Sequence, residues 1–423
     1  MSIDLDALTP HPERLAERLA SLAEFHDSTR PGWSREVFSE SYRASREWVR
    51  RQMADAGLDP VVDPAGNIVG RLPGRRGSGP ALVTGSHTDT VAQGGRFDGI
   101  VGVLTGIEVA QRFRETGTTL EHDLVVVDFL GEEANDFGIS CLGSRAVAGV
   151  LRPEHLDRVD STGTRLGDAI ERFGLDPHAA LRQAWNPGDV HAYVELHVEQ
   201  GPLLESSGTS IGVVTAIAGI DRILMRFAGR AGHAGTTHMA DRHDALVSAA
   251  AAVLAVERAG CGAPVHGVAT PGCIESSPES MGVITDRARL WAEIRSVDGT
   301  WLQGARRQIV DEVAEEAARR GVRFDVEYLT DQDPVPTDEL LQDVIGQSAD
   351  RLGLPWRAVP SGAGHDAAHL ARLGPMGMIF VPSQGGLSHC PEEFTAPADI
   401  EQGAHVLAGT LATLDQRPVV RSE

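Results

Sequence analysis

Three short apolar runs, Ala81-Leu-Val-Thr, Leu124-Val-Val-Val and Met378-Ile-Phe-Val, each lead into a polar segment rich in metal-binding side chains. Short apolar runs closed by polar turns read as buried strands. Strands that hand the chain to loops and helix starts read as an open α/β sheet, which builds its sites beyond the strands' carboxyl ends. The first run continues as Gly85-Ser-His87-Thr-Asp89-Thr. Asp89, two residues after His87, points to the same side of an extended chain. A carboxylate behind a ligating imidazole fixes its tautomer and raises its basicity. Gly94-Gly-Arg-Phe-Asp98-Gly follows, and then Ile100, Val103, Leu104, Ile107, Ala110 and Phe113 recur at helical spacing, so Asp98 stands near a helix start. The second run ends in Asp128-Phe-Leu-Gly-Glu132-Glu133. Adjacent glutamates face opposite ways on an extended chain, but on a bend both reach one cavity, one binding metal while the other moves protons.

Two more segments extend the series. His191-Ala-Tyr-Val-Glu195-Leu-His197-Val-Glu199 alternates, placing Tyr193, Glu195, His197 and Glu199 on one strand face. The third apolar run leads through a Gly-rich loop to Ser388-His389-Cys390-Pro-Glu392-Glu393. Singly, His87 or Asp98 reads as a cap or surface group, and Glu-Glu pairs are common on solvated faces. Together, at strand ends and helix starts, they read as a site. Imidazoles at 87, 197 and 389 with carboxylates at 98 and 133 would fill two metal sites bridged by Asp98. Mixed nitrogen and oxygen donors suit Zn2+, and also Mn2+, Co2+ or Ni2+.

The motifs GSHTDT, GGRFDG, GEE with LGSRA (142–146), ELHVEQGP, AGHAGT (231–236), EIR (293–295), SGAGHDA (361–367) and GGLSHCPEE run from Gly85 to the His389 loop. In this order they resemble the amidase/hydantoinase/carbamoylase group of dinuclear zinc peptidase-like amidohydrolases. That group includes N-carbamoyl-L-amino acid hydrolases, allantoate amidohydrolases and β-ureidopropionases. The resemblance implies that His87, Asp98 and His197 hold one metal ion and that Asp98, Glu133 and His389 hold the other. It makes Glu132 the general base, taking a proton from the attacking water and passing it to the departing nitrogen. His233 matches an oxyanion-stabilising histidine supplied across a homodimer. Arg295 matches a clamp for the substrate carboxylate, suited to a planar guanidinium, and Gln200 matches a substrate contact. On residues alone, Arg295 also reads as a surface arginine on a half-buried strand, the clamp being favoured because EIR ends the matched segment, and Gln200 reads equally as a loop hydrogen bond. Three departures bear on substrate choice. Gly282 stands where relatives place a substrate-binding Asn, His238 replaces a Pro after AGHAGT, and Asn135-Asp136 stand where Ser-Arg is usual.

The implied fold is α/β: a discontinuous zinc-peptidase-like catalytic domain, residues 1–212 and 331–423, with an inserted smaller α+β lid and dimerisation domain, 213–330. Hinges are expected near Gly212 and Asp333-Pro-Val-Pro336. A chain of 423 residues exceeds the size at which one core stops growing. His365 and Asp366 are expected to cap the helix after them and brace the pocket. His11, His122 and His155 read as surface groups. A net charge of -22 opposes a nucleic-acid or anionic-membrane surface, and the resemblance implies a small ureido or amide acid as the partner. All 38 basic residues are arginine, which excludes Schiff-base and lysine-nucleophile chemistry. Four cysteines without a CxxC spacing argue against a disulfide framework. The N-terminus lacks a basic start and apolar core, and no run reaches transmembrane length, so a cytoplasmic location is expected. Two competing readings remain: an N-acyl amino acid deacylase or dipeptidase with the same metals and base, and a non-catalytic dimeric binding protein on the same scaffold.

Overall fold

A computed structural model describes residues 5–182 and 184–417. The chain divides into two compact units. The first comprises residues 1–215, 337–359 and 365–423, and the second Ala216–Pro336 with Pro360–Gly364. The short return at 360–364 is a feature the sequence reading does not contain.

The first unit is built on a mixed sheet. Its middle holds four mutually parallel strands in the order Leu124–Phe129, Ala81–His87, Val190–Val198, Met376–Val381. Ile68–Leu72 extends the sheet antiparallel on one side, followed by Asp59–Val62, and Ile211–Ile217 extends it antiparallel on the other. Parallel strands are covered on both faces and therefore read as continuous apolar runs. Every residue of Ala81–His87, Leu124–Phe129 and Met376–Val381 is buried accordingly. Val190–Val198 alternates polar and apolar side chains, yet both its faces are covered. Its Tyr193, Glu195 and His197 are therefore polar groups inside the protein. The helices Pro12–Ala23, Ile100–Glu115, Glu339–Arg351 and Pro397–Leu414 contribute to one core with these strands.

The second unit is a two-layer α+β fold. Its antiparallel sheet has the order Arg323–Gln332, Gly219–Ala228, Arg287–Ser296, Val268–Ser277. Arg287–Ser296 alternates as expected, with Ala288, Leu290, Ala292 and Ile294 buried. They share a core with the helices Ala245–Cys261 and Gly299–Arg319. Asp244 and Asp298 cap those helices, each carboxylate accepting two backbone N–H groups of the first turn. No helix among the described residues is long and apolar enough to cross a membrane.

Candidate metal centre and active site

The donor side chains gather at the carboxyl ends of the four parallel strands. His87 ends Ala81–His87, His197 lies next to last in Val190–Val198, Glu132 and Glu133 follow Phe129, and His389 lies in the loop after Val381. Asp98 stands between them. Its Oδ1 lies 3.1 Å from His197 Nε2 and 3.7 Å from His87 Nε2, while its Oδ2 lies 3.3 Å from His389 Nε2. Glu133 Oε1 is 3.5 Å from the same His389 nitrogen. Donors bound tetrahedrally at about 2.0–2.1 Å from one zinc ion stand roughly 3.3 Å apart. The spacing therefore fits a divalent cation on each side of Asp98. The two sets, His87-Asp98-His197 and Asp98-Glu133-His389, each keep their donor atoms within 4.8 Å of one another.

Glu132 belongs to neither set. Its Oε2 lies 3.6 Å from His87 Nε2, so it borders the cluster with a carboxylate to spare. The bend that turns both glutamates inward is held by Asp89, whose two oxygens accept the backbone N–H groups of Glu132 and Glu133 at 3.2 and 3.1 Å. Gly131 opens that bend at φ +59, a left-handed conformation that favours glycine. Asp89 also stands behind His87 as expected, in a different manner. Its backbone carbonyl is 3.1 Å from His87 Nδ1, nearer than its carboxylate at 3.6 Å.

The charges are strongly coupled. Burial raises the Asp98 carboxyl, but hydrogen bonds from His197 and His389 outweigh it and hold Asp98 well below the usual carboxylate range. The bond to Asp98 lifts His389 to about 9, against its burial. Burial and the neighbouring Asp98 push Glu133 up to about 7, and burial pushes Glu132 well above its ordinary value. Burial disfavours the His87 imidazolium, yet the Glu132 carboxylate and Asp89 raise it well above the usual histidine range. Such a cluster exchanges protons for a cation.

Several supporting groups escape the sequence reading. Ser388 Oγ lies 2.7 Å from both Asp98 Oδ2 and Glu393 Oε2. Glu393 Oε1 accepts the backbone N–H groups of Phe97 and Asp98, tying the His389 loop to the Asp98 loop. Both residues lie in the GGLSHCPEE segment, so their proximity to His389 was the available signal. Gln200 donates to Asp98 Oδ2 at 2.6 Å, and its Oε1 is buried without a partner. Glu195 accepts from Ser86 and Tyr193 and also from the Ala367 N–H. Glu195 thus serves the helix Ala367–Leu370, and Asp366 makes no capping bond. The expected Asp366 cap is corrected on that point: its carboxylate is buried and accepts no N–H group of the helix start. His365 packs against His197 with ring centroids 4.6 Å apart. His122 is likewise no surface group, since it is buried against Asp415 and stacked on His191. Glu199 turns away to accept Leu203 and Leu204 N–H groups.

The remaining candidates belong to the second unit. Gly232–His233 pairs with Val283–Ile284, and the Ala234 N–H donates to the Gly282 carbonyl, so His233 and Gly282 are neighbours. Gly282 adopts φ +90, a conformation an Asn side chain would occupy only under strain. His238 begins the turn Met239–Asp241, and Arg242 donates to the Ala234 and Thr237 carbonyls, which folds the loop back on itself. Arg295 donates through Nε to Glu293 and through Nη1 to the Gly362 carbonyl. Two of its five N–H groups are thereby engaged, leaving one on Nη1 and two on Nη2.

Residues 83–413 match peptidase family M20/M25/M40. The chain is 39% identical over 410 residues to an N-carbamoyl-L-amino acid amidohydrolase of Geobacillus stearothermophilus, spanning 96% of this chain and 98% of that one. It is 35% identical over 406 residues to a ureidoglycolate hydrolase of Oryza sativa subsp. japonica, spanning 95% of this chain and 84% of that one. The crystal structure of a hydantoinase/carbamoylase family amidase from Burkholderia vietnamiensis superposes with a TM-score of 0.88 at 35% identity, over 99% of this chain and 100% of that one. With this donor cluster on this fold, the chain belongs to peptidase family M20/M25/M40 and, within it, to the amidase/hydantoinase/carbamoylase group of carbon–nitrogen hydrolases.

Proposed function

We propose that the protein hydrolyses a linear carbon–nitrogen bond of a ureido acid, in the first place an N-carbamoyl amino acid, with two divalent metal ions, Zn2+ or Mn2+, Co2+ or Ni2+, in each subunit. The observation that carries this reading is Asp98, which turns one oxygen to each donor set while Glu132 stands beside His87 without joining either set. When bound, divalent ions acidify water and polarise the scissile carbonyl. Glu132 accepts a proton from the attacking water as its oxygen bonds to the ureido carbon. The carbon–nitrogen bond then breaks, and Glu132 returns the proton to the departing nitrogen; the carbamic acid that remains loses CO2, so that ammonia and the free amino acid are released.

The second unit supplies recognition in this reading. The remaining N–H groups of Arg295 grip the substrate carboxylate. His238, Gln200 and the backbone at Gly282 complete the contacts, and the partner subunit's His233 stabilises the oxyanion. A homodimer is supported by the open edge of Val268–Ser277, where Val268 and Ile274 are exposed, and by exposed Leu246, Val247 and Leu254 on the helix Ala245–Cys261. The free cysteines 141, 261, 273 and 390 suit a reducing compartment such as the cytoplasm.

Metal-reconstituted protein assayed for ammonia and amine release tests the reading. The panel comprises N-carbamoyl-L- and D-amino acids, N-carbamoyl-β-alanine, allantoate, N-acetyl amino acids and dipeptides. Ammonia from a ureido compound is the expected result. Amine from acyl substrates alone would move the protein to the deacylase or dipeptidase side.

A further inference from the structure

Cys141 touches Glu132 twice. Its backbone N–H donates to the Glu132 carbonyl at 2.8 Å, and its Sγ lies 3.3 Å from Glu132 Oε1. The other carboxylate oxygen, Oε2, is the one that faces His87. The two oxygens of Glu132 are thus distinguished: one meets a thiol on the protein side, and the other is turned to the donor cluster.

The backbone around Cys141 is arranged for this contact. The N–H groups of Cys141, Leu142 and Gly143 donate in succession to the carbonyls of Glu132, Gly131 and Leu130, so two short segments run alongside each other. Cys141 itself adopts φ +57, a left-handed conformation that costs a non-glycine residue energy and persists where surroundings enforce it. The thiol is buried, and burial raises its pKa well above the ordinary cysteine value. It is therefore a neutral S–H donor, short enough to approach a carboxylate without filling the space beside it.

We infer that Cys141 is a positioning residue for proton transfer, its thiol holding Glu132 Oε1 so that Oε2 is presented to the attacking water. The inference rests on the reading of Glu132 as the general base. A freely rotating glutamate would sample several orientations, of which few reach the water, and a donor on the far oxygen removes that freedom. The thiol acts through Glu132, whose Oε1 it meets.

The test compares Cys141→Ala with Cys141→Ser in the metal-loaded enzyme, using the best substrate of the ureido panel. Loss of one weak hydrogen bond predicts that Cys141→Ala lowers kcat by about two- to tenfold, with KM and bound metal unchanged. Cys141→Ser restores a donor and recovers most of that loss. Cys141→Gly, which removes the thiol while accepting the left-handed backbone, serves if the Ala variant does not fold, and it should lose kcat as Ala does. Wild-type kcat in Cys141→Ala, or equal losses in Ala and Ser that track lost metal, would overturn the inference. Glu132→Gln separates the two ideas. If Glu132→Gln keeps its turnover, the general-base reading itself fails; if it is inactive while Cys141→Ala is unaffected, only the role of Cys141 falls.

Discussion

Glu132 and Glu133 are adjacent and both are buried, Glu132 beside His87 and Glu133 beside His389, and their surroundings assign them different work. Glu133 faces His389 at a distance suited to shared coordination, whereas Glu132 lies outside both donor sets. Glu132→Gln keeps the size of the side chain and removes the base. It should cut kcat by about 10²- to 10⁴-fold with metal content unchanged, as read by elemental analysis of the purified variant; a parallel loss of metal would make Glu132 a ligand. The protons held by the cluster yield a second prediction. Glu133 is pushed up to about 7 and His389 to about 9, and each must shed its proton to bind a cation. Metal affinity should therefore rise from pH 6 toward pH 9, with proton release that diminishes over the same range, measurable by competition with a chelator and by calorimetry in buffers of different ionisation enthalpy. An affinity flat across that range would contradict it. At this scale the charged residues at strand ends were legible, because metal chemistry demands particular side chains. Ser388, Glu393 and the thiol of Cys141 were not, because their part depends on which neighbour a polar group meets, and spacing along the chain does not encode that.

The elements that carry the site were more legible than the contacts between them. Apolar runs gave the strands at 81, 124 and 378, and helical spacing gave the helix that opens at Ile100, since burial imposes both periods directly. The close approach of this helix to the strand before it depends on glycine. Gly99 adopts φ +67, and a Cβ there would lie 2.2–2.4 Å from three atoms of the His87 ring. A Cβ at Gly102 would likewise lie 2.4 Å from the carbonyl oxygen of Leu196, in the next strand of the sheet, Val190–Val198. Gly99→Ala should therefore displace His87 and weaken metal binding while costing roughly 1–3 kcal/mol of stability through backbone strain. Bound metal per chain and the thermal unfolding midpoint read the two effects separately, and a variant with full metal and an unchanged midpoint would show that the loop relaxes freely. The role of Glu195 in capping the helix after Asp366 was hidden for a related reason. An Asp at a helix start is the expected cap, and only the strand register placed Glu195 Oε2 within 3.1 Å of the Ala367 N–H.

At the scale of the whole molecule, the compositional signs of two units were plain, because one core cannot serve 423 residues. The return of Pro360–Gly364 to the second unit was not, since it follows from pairings such as Ala218 N–H to the Ser361 carbonyl and Arg295 to Gly362. Among the described residues that unit leaves the sheet edge at Val268–Ser277 unpaired and several apolar side chains exposed, with Ile274 at 43% and Leu254 at 52%. An open apolar edge is a liability unless another chain covers it. Light scattering coupled to size-exclusion chromatography should accordingly give twice the 45.0 kDa chain mass. Arginine at Ile274 and Leu254 together should shift the protein toward monomer. If His233 acts across the dimer, as proposed, the monomer keeps its metal, since every donor of both sets lies in the first unit, but loses turnover. Mixing an excess of inactive Glu132→Gln dimer carrying an intact His233 with a His233→Ala dimer would then restore activity after subunit exchange, because one hybrid site pairs an intact Glu132 with the partner subunit's His233. A monomer with full activity, or mixing without recovery despite demonstrated exchange, would place His233 in the service of its own chain.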